Sequence, residues 1–227
     1  MQGEELNRFR EEDAGKHWGY PYCWSEYTLD EEVGRGRGMA WAWPSFLTAG
    51  TITDEQCRDD YVSSVVSMQA HSAPLGITFY DWKISPPDCD GTAFPEEMNG
   101  FAFIAFHGSW NRDPPTGYKV VYIPMDDNGD AVGEPLDLLA HAGRTANWED
   151  GFRPVDVDFD DCGRLLLSSD GTSGRGEKIV RIDYRGPGVN STCNMTSCQK
   201  GGGSGGSRGK QYAAWMLIAA LFPLFFI

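Results

Sequence analysis

Apolar residues come in short runs cut off by Gly, Pro, Asn and Asp, and few segments repeat with a helical period. That punctuation predicts strands rather than helices, and an all-β fold. Two stretches share one plan. In the first, "LGITFY" (75–80) is followed by "FAFIAF" (101–106) and "YKVVYI" (118–123); in the second, "VDVDFD" (155–160) by "RLLLSSD" (164–170) and "KIVRIDY" (178–184). The turns correspond as well, with "HGSWNR" in one unit at the place of "DGTSGR" in the other, and "DDNG" and "DDCG" marking strand ends. Each unit reads as an antiparallel meander that cannot bury both faces alone. Radial stacking of such units makes a β-propeller, with a sandwich as the alternative. Upstream, "EELNRF" reads as the last strand of a preceding unit, followed by a Gly-, Trp- and Pro-rich excursion from Tyr20 to Met68.

Charge narrows the partners. With 19 basic and 33 acidic residues the net charge is −14, which argues against nucleic acid, whose phosphates need a basic surface. The six cysteines, Cys23, Cys57, Cys89, Cys162, Cys193 and Cys198, contain no CxxC pair, so zinc is disfavoured. Two N-glycosylation sequons start at Asn190 and Asn194, beside Cys193 and Cys198. Together they point to an oxidising, extracellular location. Disulfides are expected between Cys23 and Cys57, across the excursion, and between Cys193 and Cys198. Cys89 and Cys162 are left free, paired with each other, or paired with residues beyond this chain.

The C-terminus runs from "GGGSGGS" through a short polar spacer into the uncharged tail Tyr212 to Ile227. Small residues, spacer and terminal tail fit a glycosylphosphatidylinositol signal with attachment at Ser204 or Gly205, giving a membrane contact through a lipid anchor at the cell surface, with a tail-anchored helix or a fortuitous apolar end as the alternatives. The organisation expected is a propeller portion over 1–186, a glycosylated Gly/Ser-rich linker over 187–211 and the hydrophobic tail over 212–227. The N-terminus is acidic and lacks an apolar h-region, so the expectation is that this chain is the C-terminal half of a longer protein.

Four segments, "GEELNRFREEDAGKHWGYPYC", "MQAHSAPLGITFY", "FIAFHGSWNRDPPTGYKVV" and "GFRPVDVDFDDCGRLLLSSDGT", stand in the order found in one family. Over Gly3 to Tyr184 the chain resembles the glucose/sorbosone dehydrogenase family, and within it the fungal-type pyranose dehydrogenases that depend on pyrroloquinoline quinone (PQQ). The resemblance implies a six-bladed propeller that oxidises the CH–OH group of an aldose or pyranose sugar with PQQ, a calcium ion helping to hold the quinone. It implies no particular sugar and no particular electron acceptor. By this resemblance the calcium site lies mostly outside this chain, at or beyond Met1, and the catalytic base in earlier blades, so the chain alone is expected to be inactive and no catalytic residue is assigned.

PQQ is a flat quinone bearing three carboxylates, so its pocket needs cations, hydrogen-bond donors and a flat apolar surface. Meander topology places "HSAPLG", "HGSWNR", "GFRPVD" and "DGTSGR" at one end of the units. There Arg112 and Arg153 would pair with carboxylates, since the guanidinium fork matches both oxygens. Trp110 would stack on a ring, and His107, Ser109 and Asn111 would donate to oxygens. By resemblance, Arg153 and the "SWNR" turn match quinone contacts of the family. His71 and Pro154 rank lower, as lead-in residues of the two units. Each residue alone also has a structural reading: a backbone partner for His107, a packing cap for Trp110, a surface pair of Arg112 with Asp113. Asp126, Asn128 and Asp130 alternate like calcium ligands, yet Ala131 stands where an EF-hand needs glycine, so a hairpin turn is expected. The competing function is a non-enzymatic cell-surface propeller that binds glycan or protein.

Overall fold

A computed structural model describes residues 1–83, 89, 91–143 and 146–186, together with the backbone of Ala219–Ala220. In chain order the strands are β1 (Glu4–Leu6), β2 (Cys23–Ser25), β3 (Ala40–Ala42), β4 (Val66–Met68), β5 (Pro74–Phe79), β6 (Ala102–Phe106), β7 (Lys119–Ile123), β8 (Leu136–Leu139), β9 (Pro154–Phe159), β10 (Leu165–Asp170), β11 (Glu177–Ile182) and β12 (Ala219–Ala220). Two short helices, α1 (Pro44–Thr48) and α2 (Asp54–Asp59), sit in the excursion. Cys193, Cys198, Asn190, Asn194, Ser204 and Gly205 lie outside the described residues.

The all-β expectation holds. Strands β5-β6-β7-β8 form one antiparallel meander, and β9-β10-β11 form a second with the β12 pair at its edge. These are two consecutive propeller blades. The first has a fourth strand that the repeat reading missed: β8 is half exposed at the sheet edge, and "LDLL" lacks strict alternation. The preceding unit also differs from expectation. Strand β1 pairs with β4, which returns to it after the excursion, so β4 and not β1 is the last strand before the first blade.

Period-2 alternation decides how the blades stack. From β6, Phe103 and Ala105 face the second blade, where they join Val157, Leu165, Leu167, Val180 and Ile182 in one core. Ala102, Ile104 and Phe106 face the other way, against Met68 and the flanking Leu6 and Val66. Every residue of β6 is therefore buried, and each large apolar side chain so covered contributes about 1.5–3 kcal/mol.

Strands β5 and β9 approach each other most closely. A Cβ on Gly76 would stand 2.5 Å from Asp156 Cα, so only glycine permits this contact. Thr78 Oγ1 lies 3.4 Å from the Asp158 carboxylate one step further on. The two blades fan outward from this pair, which makes β5 and β9 the innermost strands. Where β5 and β9 end, the disulfide Cys89–Cys162 ties the β5–β6 connection to the β9–β10 turn, and Phe94 donates its N–H to Gly163 O at 2.9 Å. The pairing of Cys89 with Cys162 resolves what the sequence left open, and Cys23–Cys57 forms as expected.

Candidate functional site

At the opposite end, four segments converge: 69–73 leading into β5, 107–118 between β6 and β7, 151–153 leading into β9, and 171–176 between β10 and β11. Register explains the convergence, because Pro74 faces Phe106, Phe106 faces Lys119, and Pro154 faces Ser169. Pro154 is fully buried and sets where β9 begins.

The 107–118 loop is built as a closed base with an open tip. His107 N–H donates to Ala73 O at 3.0 Å and Gly108 N–H to Ser72 O at 2.8 Å. Gly117 fits between Gly108 and Ser72, where a Cβ would stand 2.7 Å from Gly108 Cα. Ser109 N–H donates to Thr116 O at 2.8 Å, and Thr116 N–H returns a bond to the Ser109 hydroxyl at 3.0 Å. The Tyr118 hydroxyl donates to Ser109 O. Ser109 is thus buried in the pinch of the loop, and residues 110–115 project from it. Trp110 is 86% exposed at that tip, with Asn111 exposed and Arg112 half-buried beside it. Neither Asn111 nor Arg112 takes part in a hydrogen bond or ion pair among the described residues. The local Arg112–Asp113 pair is not formed.

The second blade holds this loop in place. Arg153 Nε donates to His107 O at 3.1 Å and its Nη2 to Gly108 O at 3.3 Å. The guanidinium carbon sits 5.6 Å from the centre of the Tyr118 ring, a cation–π distance. Its own backbone N–H donates to the Ser169 hydroxyl at 2.8 Å. His107 Nε2 lies 3.0 and 3.1 Å from the two carboxylate oxygens of Asp170. Trp148 Nε1 donates to Tyr118 O at 2.7 Å. Asp150 caps the lead-in by accepting from Phe152 N–H at 3.1 Å and from Lys178. The Lys178 hydrogen bond is the main reason the Asp150 carboxyl is held below its ordinary value.

Two residues of the other lead-in carry left-handed backbone: His71 has φ 60° and Ala73 φ 50°. Non-glycine residues in that region store strain, and strain of this kind clusters at binding sites. His71 is exposed, while Ser72 between them is fully buried. No feature of the sequence signals this backbone; the motif "AHSAPLG" names the residues but not their conformation.

The arrangement therefore offers, at one end of two blades, an exposed indole, an exposed imidazole, and a guanidinium and a carboxamide without a partner among the described residues. Arg153 keeps Nη1 outside its two carbonyl bonds. This donor set fits a flat polycarboxylate such as PQQ. Among the described residues, no group of three or more His, Cys, Asp or Glu is placed to hold a metal ion. Asp126 accepts from the backbone N–H groups of Asn128 and Asp130 at 2.9 and 2.8 Å, which is the turn expected there.

Residues 2–180 match the family model described as TrAA12-like. A pyrroloquinoline quinone-dependent sugar dehydrogenase of Hypocrea jecorina is 30% identical over 184 residues, which cover 75% of this chain and 36% of that protein. A pyrroloquinoline quinone-dependent pyranose dehydrogenase of Coprinopsis cinerea is 28% identical over 181 residues, covering 72% of this chain and 22% of that protein. Among solved structures, the iodide structure of the Trichoderma reesei Carbohydrate-Active Enzymes Family AA12 superposes with a TM-score of 0.61 at 30% identity, over 79% of this chain and 43% of that one. The matches thus span less than half the length of each of these relatives.

Proposed function

Since this chain belongs to the TrAA12-like family, we propose that it forms part of a sugar-oxidising propeller and contributes to its PQQ site. The observation that carries the reading is the convergence of Arg112, Asn111 and Trp110 with Arg153 at one end of two blades. In this reading Arg112 pairs with a quinone carboxylate, Arg153 Nη1 with a second, and Trp110 covers one face of the ring system. Asn111 donates to a ring oxygen, and His71 faces the same space from the neighbouring lead-in. His107 and Ser109 act one step back: the first anchors the loop to Asp170 and the second closes it. PQQ, when bound, supplies the acceptor for two electrons from the sugar alcohol carbon. The residues of this chain bind and orient it, and none of them is assigned the base.

The support is chemical as well as familial. Carboxylates favour arginine because two parallel N–H···O bonds form at once, and a planar ring favours an indole. Calcium, in the same reading, is held by residues outside this chain. The sugar, and the acceptor that reoxidises the quinone, are left open. We extend the proposal to location: an extracellular protein attached through the tail, tested by release from membranes with a phosphatidylinositol-specific phospholipase.

Equilibrium titration of the full chain with PQQ, read by quenching of tryptophan emission, tests the cofactor site. Saturable quenching that calcium alone does not produce supports it; no saturation up to millimolar PQQ overturns it. Sugar-dependent reduction of a redox dye by PQQ-loaded chain is then the test of activity, and none is expected from this chain by itself.

A further inference from the structure

The excursion between β1 and β4 carries a second concentration of aromatic surface, and the cofactor site does not use it. Strands β2 and β3 pair with Trp24 directly opposite Trp41. Alternation sends Cys23, Ser25 and Ala42 to one face, where Cys23 and Ala42 pack with Ile52 and Cys57 in a small core. The other face carries Trp24 and Trp41, and Trp43 follows just beyond the strand. Trp24 and Trp41 have ring centres 6.3 Å apart and planes within 22° of parallel. The Trp43 ring centre lies 6.4 Å from that of Trp24, with its plane tilted by 49°. All three rings are partly open to solvent.

These rings are fixed from behind. Trp24 Nε1 donates to Ala42 O at 3.2 Å, and Trp41 Nε1 donates to the buried Glu26 carboxylate at 3.0 Å. The Cys23–Cys57 disulfide and α2, with its Thr53/Gln56 capping box, brace the underside. Binding would therefore cost little ordering of side chains. With two of the indole N–H groups turned inward, Trp24 and Trp43 present ring carbon, while the Arg35 guanidinium lies over the Trp41 ring, 5.8 Å from its centre.

We propose that this tryptophan face is a binding platform for a neutral pyranose chain, separate from the quinone site. Flat C–H faces of pyranose rings stack on indoles, and neighbouring ring centres here are spaced on the scale of successive sugar units. A polyanionic glycan is disfavoured by the net charge of −14. The choice of carbohydrate rests on the reading of the chain as part of a sugar-oxidising protein; the existence of the platform does not. Its place on the excursion, outside the blade loops, would keep a polymer near the protein while a sugar end reaches the quinone.

Affinity electrophoresis of the full chain through native gels containing hydroxyethyl cellulose, xyloglucan or galactomannan tests the proposal. Wild type should be retarded in at least one. Trp43→Ala and Trp24→Ala should each weaken retardation by roughly two- to tenfold, as expected for loss of one stacked ring. Trp43→Phe should keep most of it at an unchanged thermal midpoint, which separates a lost ring from lost folding. Arg112→Ala should leave retardation unchanged while weakening PQQ binding, so failure of the quinone site and failure of the platform are distinguishable. Absence of retardation in all three polymers, retardation only by dextran sulfate, or equal retardation of wild type and both alanine variants would overturn it.

Discussion

Arg153 donates from Nε to the backbone carbonyl of His107 at 3.1 Å, so a side chain at the start of one blade holds the loop of its neighbour. A second bond from the same guanidinium reaches Gly108 O at 3.3 Å. Hydrogen bonds from a charged donor contribute about 1.5–3 kcal/mol each, and these two share one side chain. Arg153→Ala is expected to destabilise the fold by about 2–3 kcal/mol in urea denaturation and to weaken PQQ binding as well. Arg153→Lys should recover only part of either, because an ammonium cannot span two carbonyls and still present a free fork.

Arg112 should behave in the opposite way. No hydrogen bond or ion pair among the described residues depends on it, so Arg112→Ala should change stability by no more than about 0.5 kcal/mol. Its effect should appear in PQQ affinity, with a loss of about tenfold or more for one charge-assisted pair. Denaturation and titration of the same preparation check both halves.

Glu26 organises the excursion. Its buried carboxylate accepts from Arg35 N–H at 3.0 Å, Gly36 N–H at 3.3 Å and Trp41 Nε1 at 3.0 Å. Burial pushes its carboxyl up, but the bonds from Arg35, Trp41 and Gly36 together outweigh this and leave it below the ordinary value. Glu26→Ala strands three donors and should cost about 2–4 kcal/mol. Thermal denaturation monitored through tryptophan emission would record it.

The pH dependence follows from groups moved in both directions. Asp150, held down mainly by Lys178, and Glu26 have folded values below their ordinary 3.8 and 4.5. Asp160 is also lowered: burial raises its carboxyl, and the bonds from Arg164 more than offset that. Groups depressed in the fold stabilise it above their unfolded values, and that stability is lost as pH falls through the folded ones. Stability should therefore be flat down to about pH 5 and drop steeply below pH 4. At the alkaline end Tyr80, pushed from 10.0 to about 12 by burial and by Asp81, favours the fold below pH 10. Its share should fade as pH rises from 10 towards about 12, and denaturation midpoints across the range would show both edges.

Much of this architecture was legible because sheets announce themselves with period 2. The runs at 101–106 and 118–123, and those at 164–170 and 178–184, gave β6, β7, β10 and β11 within one or two residues. Edge strands carry a weaker signal, and β8, with Leu136 and Asp137 exposed, did not stand out. The excursion was opaque, although "TDEQ" spells the capping box that starts α2. For the site, the sequence placed Arg112, Trp110, Arg153 and His107 at one end of the blades. It could not show that Arg153 spends two of its donors on backbone carbonyls, since that depends on how far apart two blades stand. Nor could it show left-handed backbone at His71 and Ala73, where tertiary contacts override the preference of the residue type.

In the proposal, PQQ sits against the 107–118 and 151–154 segments. Amide hydrogen exchange of the full chain with and without saturating PQQ tests it most directly. Slowed exchange should be confined to 69–73, 107–118 and 151–154, with exchange in β2 and β3 unchanged and the protection weakened in Arg112→Ala. Protection elsewhere with those loops unaffected, or none at PQQ concentrations that quench tryptophan emission, would contradict it.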